Sequence, residues 1–207
     1  APAAHSLQRP APALSGSTQP ASDAYSDSEM WNAVIGSTGL TAQWLQSHGF
    51  TPGSKALEQL HALLNGNTAI TSTGTGVKHI AFGPQGSTPH VTTDGAPTLS
   101  THERYVNATL PTGGMAGDSV LLRWRNMSNN QIMDISAQTL PSGTDSAMPL
   151  WMYSPSDWAP GRYRVEVLTP NADLALQAAG EFVIATSESS VTSFSYHATA
   201  QQLSGSP

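Results

Sequence analysis

A chain of 207 residues with net charge −6 and only 11% charged residues has room for one domain with appended segments, but lacks the clustered cations that phosphate binding requires, so nucleic acid is excluded as a partner. The absence of cysteine removes disulfides, thiol catalysis and thiolate metal sites, and no apolar run approaches the roughly 18–20 residues of a membrane-spanning helix. An average soluble domain is roughly 25% charged; here Ser, Thr, Ala, Gly, Gln and Asn take up the difference. That neutral polar surface points to an extracytoplasmic setting, periplasmic or secreted. The opening Ala1-Pro2-Ala3-Ala4 suits a mature end left by signal-peptide removal.

Residues 1–25 are rich in Pro and Ala with little apolar bulk, the composition of an arm or linker. Residues 26–67 read as a helical segment. Ser26 or Ser28 caps a first helix, with Asp27 and Glu29 at its positive end and Trp31, Val34 and Ile35 at helical spacing. A second places Leu40, Trp44 and Leu45 on one face and stops at Gly49. For the third, Thr51 is the expected cap and Pro52 the first turn. Its Leu57, Leu60, Leu63 and Leu64 form the apolar stripe, and Asn65-Gly66 the end. Three short faces are too little for an independent core, so the segment is expected to pack on the rest of the chain or on another subunit.

From residue 68 to 185 the period changes to two. In 77–82, Val77, His79 and Ala81 alternate with Lys78, Ile80 and Phe82; a strand of mixed pattern then leads to Pro111. The next strand turns Val120, Leu122 and Trp124 inward and Leu121, Arg123 and Arg125 outward. In the strand between Pro160-Gly161 and Thr169-Pro170, Tyr163, Val165 and Val167 face in, and Arg162, Arg164 and Glu166 face out. Both sets of outward arginines are expected to be solvated. Recurrent Gly and Pro turns, with no helical stretch between strands, make the chain mainly β: an antiparallel sandwich preceded by the helical segment, with arms at both ends.

A Trp-bearing strand over 120–125, then "PGRYRVEV", then "AAGEFVIA" resembles strands C, F and G of an immunoglobulin-like or fibronectin type III-like sandwich over about residues 101–185. The resemblance implies a buried Tyr163 whose hydroxyl finds a backbone partner at the sandwich corner, and Phe182 and Ile184 on the inner face of the last strand. It further implies a bacterial envelope or secreted module used as a spacer, assembly unit or glycan binder.

Chemistry is sparse. The histidines at 5, 48, 61, 79, 90, 102 and 197 include no pair at the close spacing that zinc sites use; His79, His90 and His102 would have to converge from separate strands. No Gly-x-Ser-x-Gly elbow occurs, and "TSTGTGVKH" leads into a strand rather than a Lys-bearing helix. The carboxylates Asp94, Glu103, Asp118, Asp134, Asp145 and Asp157 show no pairing for acid–base work. Neither catalytic residues nor a metal or cofactor are therefore assigned. The distinctive stretch is "MPLWMYSPSDWAP" (148–160), where Trp151, Met152, Tyr153 and Trp158 lie on a segment interrupted by prolines. Such residues plug the end of a sandwich, form a contact surface for another protein, or stack on sugar rings. The Ser/Thr-rich segment 186–207 holds a late alternation of Thr192, Phe194, Tyr196 and Ala198, suited to strand addition on a neighbour. The expected function is non-enzymatic assembly through other protein subunits, self included. Glycan binding is the alternative, and an enzyme with a site gathered from distant residues the third reading.

Overall fold

The computed structural model describes residues 26–67, 76–87, 89, 95–115, 119–141 and 147–186. Helix α1 (Asp27–Ser37) opens on a reciprocal cap: Ser26 Oγ accepts from Glu29 N–H at 3.3 Å, and the Glu29 carboxylate accepts from Ser26 N–H at 2.8 Å. The Ser26 main-chain N–H and the Ser26 hydroxyl, both donating to Glu29 Oε2 at 2.8 Å, hold that carboxyl's pKa below its ordinary value. Helix α2 (Ala42–Ser47) is capped by Thr41 and followed by Gly49 at φ +85°. Helix α3 (Lys55–Leu64) starts later than Thr51 and Pro52 imply, because Ser54 is the cap: its hydroxyl accepts from Leu57 N–H at 3.2 Å. Gly53 at φ +76° breaks the helical path, and Thr51 N–H donates to Ser54 Oγ within the preceding turn. Asn65 and then Gly66, at φ +87°, end the helix.

The strands in chain order are β1 (Lys78–His79), β2 (Ala81–Pro84), β3 (Thr98–Ser100), β4 (Tyr105–Pro111) and β5 (Ser119–Asn126). After these come β6 (Gln131–Thr139), β7 (Ala147–Tyr153), β8 (Gly161–Leu168) and β9 (Leu176–Ala185). The larger sheet runs β1-β9-β8-β5-β6, with β3 also on β9; the smaller runs β2-β4-β7. Pairing is antiparallel except where β1 and β3 join β9 in parallel. Residues 77–82 do not remain one alternating strand. The chain leaves the larger sheet at Ile80 and enters the smaller at Ala81, so Ile80, Ala81 and Phe82 are all buried at the crossing. Gly180 makes room for it: a Cβ there would lie 2.5 Å from Ile80 O and 2.6 Å from the Phe82 ring.

The chain is mainly β, and its two sheets contribute to one apolar cluster. Val120, Leu122 and Trp124 of β5, Tyr163, Val165 and Val167 of β8, and Phe182 and Ile184 of β9 enter it from the larger sheet, and Phe82, Val106, Leu110 and Leu150 from the smaller. Tyr163 stacks on Phe182 at 5.2 Å and its hydroxyl donates to Ala159 O at 2.7 Å. Burial raises that phenol above its ordinary value.

A second apolar cluster lies on the other face of the larger sheet. There Val34, Leu45, Phe50, Leu57 and Leu60 of the helical segment pack with Leu121, Ile135, Leu168 and Leu176. Each leucine so buried contributes roughly 2 kcal/mol, enough to make the helices a layer of the domain. This cover corrects the reading of the outward arginines. Arg123 and Arg125 are buried beneath the helices, Arg164 is half-buried, and only Arg162 is mostly in solvent.

Candidate functional site

The aromatic stretch 148–160 divides at the end of β7. Within that strand Met148 and Leu150 face the core, while Trp151 and Tyr153 stand outside, 64% and 51% exposed. Met152, between them, is half-buried against the inter-sheet core. Trp158, expected on the same surface, is instead only 4% exposed. It meets Tyr163 edge-on at 5.3 Å and Phe182 at 6.1 Å, and its main-chain N–H donates to Thr101 O at 2.9 Å. The period of two ends at Tyr153, and the segment 154–160 folds back under the sandwich. Ser154 N–H donates to Arg104 O, Arg104 donates to Pro155 O, and Asp157 accepts from His102 at 3.0 Å.

Strand pairing adds an aromatic ring that composition did not single out. Tyr105 of β4 lies directly opposite Tyr153 of β7, with ring centroids 5.0 Å apart, and stands 6.0 Å from Trp151. Its place on the outward parity of "RYVNATLP" is visible in the sequence; its register against Tyr153 is not.

Trp151 and Tyr153 border a hollow of about 430 Å³ between β6 and β7. Leu122 and Trp124 line it from β5, and Asp134, Ser136 and Gln138 from β6. These three share a face because they pair with the inward residues Trp124, Leu122 and Val120. Met133, 40% exposed at the bulge where β6 slips against β5, stands at the rim. Met133, Trp151 and Tyr153 are the large apolar side chains exposed among the described residues, and all three line this hollow. A second hollow, of about 320 Å³, opens between β6 and the helical layer and is lined by Ser37, His61, Leu64, Asn65 and Ile132, with Met133 and Asp134 shared between the two. Strand β6 thus has a depression on either side.

Among the described residues both β6 and β7 are outer strands, each paired on one side only. Outer strands present unpaired main-chain donors and acceptors, and proteins blunt them with proline, lysine or shortness. β7 contains Pro149, β2 ends at Pro84, β1 carries Lys78 and β3 has three residues. β6 is nine residues long with neither proline nor lysine. Among the described residues it is the longest outer strand, interrupted by the bulge at Met133 and carrying the charge of Asp134.

The hollow between β6 and β7 has one carboxylate, Asp134, which accepts from Ser136 Oγ at 2.8 Å, and no histidine in its lining. No three His, Asp or Glu side chains gather into a metal-binding group among the described residues. A wider hollow of about 750 Å³ beside β1 contains Arg162 and Arg164, both already paired with Glu181. Phe194 and Tyr196, together with His90, Asp94, Asp118 and Asp145, lie outside the described residues. In comparison with known proteins, the chain matches no family model and no curated sequence.

Proposed function

We propose that this chain is a non-enzymatic protein-contact module of an exported or cell-envelope assembly, built on an immunoglobulin-like or fibronectin type III-like sandwich. The strand order supports the fold assignment: β2-β4-β7 against β9-β8-β5-β6 matches the division of strands in such modules, and the Tyr163 hydroxyl reaches back to Ala159 as in their tyrosine corner. The exported setting rests on the low charge and on the neutral polar residues that replace it. One observation carries the contact role. The exposed Met133, Trp151 and Tyr153 converge on a single hollow between two outer strands, where an extended segment gains main-chain bonds and side-chain pockets together.

The test is site-specific photo-cross-linking in the producing cell, with a benzophenone side chain at Met133 or Trp151 and a control at Asp173. Asp173 is exposed in the β8–β9 turn, at the other end of the larger sheet. One recurrent protein, identified by mass spectrometry and counting a second copy of the chain, should be trapped at 133 and 151 and not at 173. No adduct at 133 or 151 refutes the contact role.

The polar row Asp134, Ser136 and Gln138 facing Trp151 favours a second reading, sugar binding, in which the ring stacks and the row supplies hydrogen bonds. A saturable change in Trp fluorescence with soluble oligosaccharide, lost in Trp151→Ala, would select it.

A further inference from the structure

We propose that the segment docking along β6 is residues 191–198 of a second copy of this chain, so that copies join by exchange of their C-terminal segments. The inference rests on the contact role above and names its partner.

A strand laid beside β6 sends alternate side chains to the two faces of the sheet. On one side they meet the hollow bordered by Trp124, Met133 and Trp151; on the other, the hollow bordered by Ser37, His61 and Asn65. The two hollows differ: the first offers aromatic rings across from the polar row Asp134, Ser136 and Gln138, and the second offers Ser37, His61 and Asn65 beside Leu64 and Ile132 and has no aromatic ring other than the imidazole. Residues 191–198, Val-Thr-Ser-Phe-Ser-Tyr-His-Ala, also differ from face to face: Thr192, Phe194, Tyr196 and Ala198 on one face, and Ser193, Ser195 and His197 on the other. Phe194 and Tyr196 would reach past the polar row of β6 to Trp124 of β5 and Trp151 of β7, and the serines and histidine would meet Ser37, His61 and Asn65.

Topology favours a second copy over the same chain. β9 ends beside the start of β8, and through β8 and β5 this is the end of the sheet at which β6 begins. From β9, a place outside β6 is four strand spacings away, about 19 Å. The six steps from Ala185 to Val191 span about 20 Å when fully extended, so a link within one chain would have to run taut and straight across the end of the sheet. A segment docking on its own β6 would also have to run parallel to it, and parallel neighbours need connections of about a dozen residues or more. A segment from another copy has neither restriction and can pair antiparallel. Reciprocal exchange closes a dimer; one-way exchange extends a chain.

The absence of cysteine makes disulfide trapping selective. Full-length Ser136→Cys or Gln138→Cys protein is mixed with full-length Thr192→Cys or Ala198→Cys protein under mild oxidation. A disulfide-linked heterodimer is expected, its yield falling about tenfold when the second partner also carries Phe194→Ser and Tyr196→Ser, as loss of aromatic anchors implies. Sedimentation of the unaltered chain provides a readout independent of the β6 substitutions. The mass should rise from 21.6 kDa towards twice that value or beyond with concentration, and remain at the monomer in the Phe194→Ser, Tyr196→Ser variant. Three results each overturn the inference: no heterodimer and a monomer at all concentrations, equal trapping by Asp173→Cys, or an intrachain bond alone in a chain bearing both cysteines. If these fail while cross-links from Met133 and Trp151 reach a different protein, the contact role stands without self-exchange; if both fail, both are wrong.

Discussion

Arg123 of β5 and Glu166 of β8 lie opposite each other in the sheet, and the buried guanidinium binds the carboxylate while also donating to Leu63 O at 3.0 Å and Asn67 O at 2.8 Å, at the end of α3. One side chain therefore joins two strands and closes a helix terminus, where unpaired carbonyls favour a cation. Burial lowers the guanidinium's pKa, and Glu166 acts against that shift. The pairing continues outward through Arg164, which donates to Glu166 and Glu181, to Arg162 at the surface.

Replacing Arg123 with Met should therefore cost about 3 kcal/mol or more, because Glu166 is left buried without its main partner and α3 loses its terminal donors. Adding Glu166→Leu should restore most of the loss. Urea denaturation of the single and double variants measures this, and a double variant as unstable as Arg123→Met would contradict it. Hydrogen exchange in α3 should rise in the single variant before the rest of the domain is affected.

Tyr163→Phe removes the bond to Ala159 O and should cost about 1 kcal/mol near neutral pH. Because burial raises the phenol's pKa in the folded chain, the unfolded chain releases its proton first as pH increases. Tyr163 thus supports the fold fully below its unfolded value of about 10, and that contribution declines as pH rises through the folded value. Stability curves taken to alkaline pH should fall less steeply above pH 10 in Tyr163→Phe; identical slopes would count against the assignment.

Gly180→Ala should destabilise by about 1–3 kcal/mol, the usual cost of forcing atoms into a filled space. The added methyl meets Ile80 O and the Phe82 ring at the crossing between sheets. Ile80 N–H, which donates to Ala179 O at 3.1 Å, should lose exchange protection in the same variant. A neutral substitution with unchanged protection would show that the crossing can shift.

Trp151 and Trp158 should behave oppositely. Trp158→Ala removes a ring from the core and should cost about 3–5 kcal/mol. Trp151→Ser and Tyr153→Ser should each change stability by no more than about 0.5 kcal/mol, or slightly more where Tyr105 loses its neighbour. Thermal melts of the three variants separate packing from surface, and equal losses at 151 and 158 would erase the distinction.

The local part of this structure was legible in residue order. Alternation in 119–126 and 161–168 identified which side chains enter the inter-sheet core, and caps with leucine spacing located the helices to within a few residues. The resemblance carried by Gly-Arg-Tyr-Arg-Val implied a buried Tyr163 with a bonded hydroxyl, and Tyr163 is 3% exposed with its hydroxyl on Ala159 O. Each of these signals depends on neighbours a few positions apart, which is the range over which backbone period and capping operate.

Alternation says which face a residue is on and nothing about what covers that face. Arg123 reads as solvated because its parity is outward, and only the packing of α3, some sixty positions earlier, turns that outside into an interior. Residue order leaves open whether Trp158 plugs the sandwich or stands beside Trp151, and the folding back of 154–160 buries it; Tyr105 joins the surface only through the β4–β7 register. The hollow between β6 and β7 likewise arises from two strands that share no local pattern. Side-chain parity is a property of the chain, whereas cover, register and the open edge are set by contacts between distant segments, and so were decided only in the folded molecule.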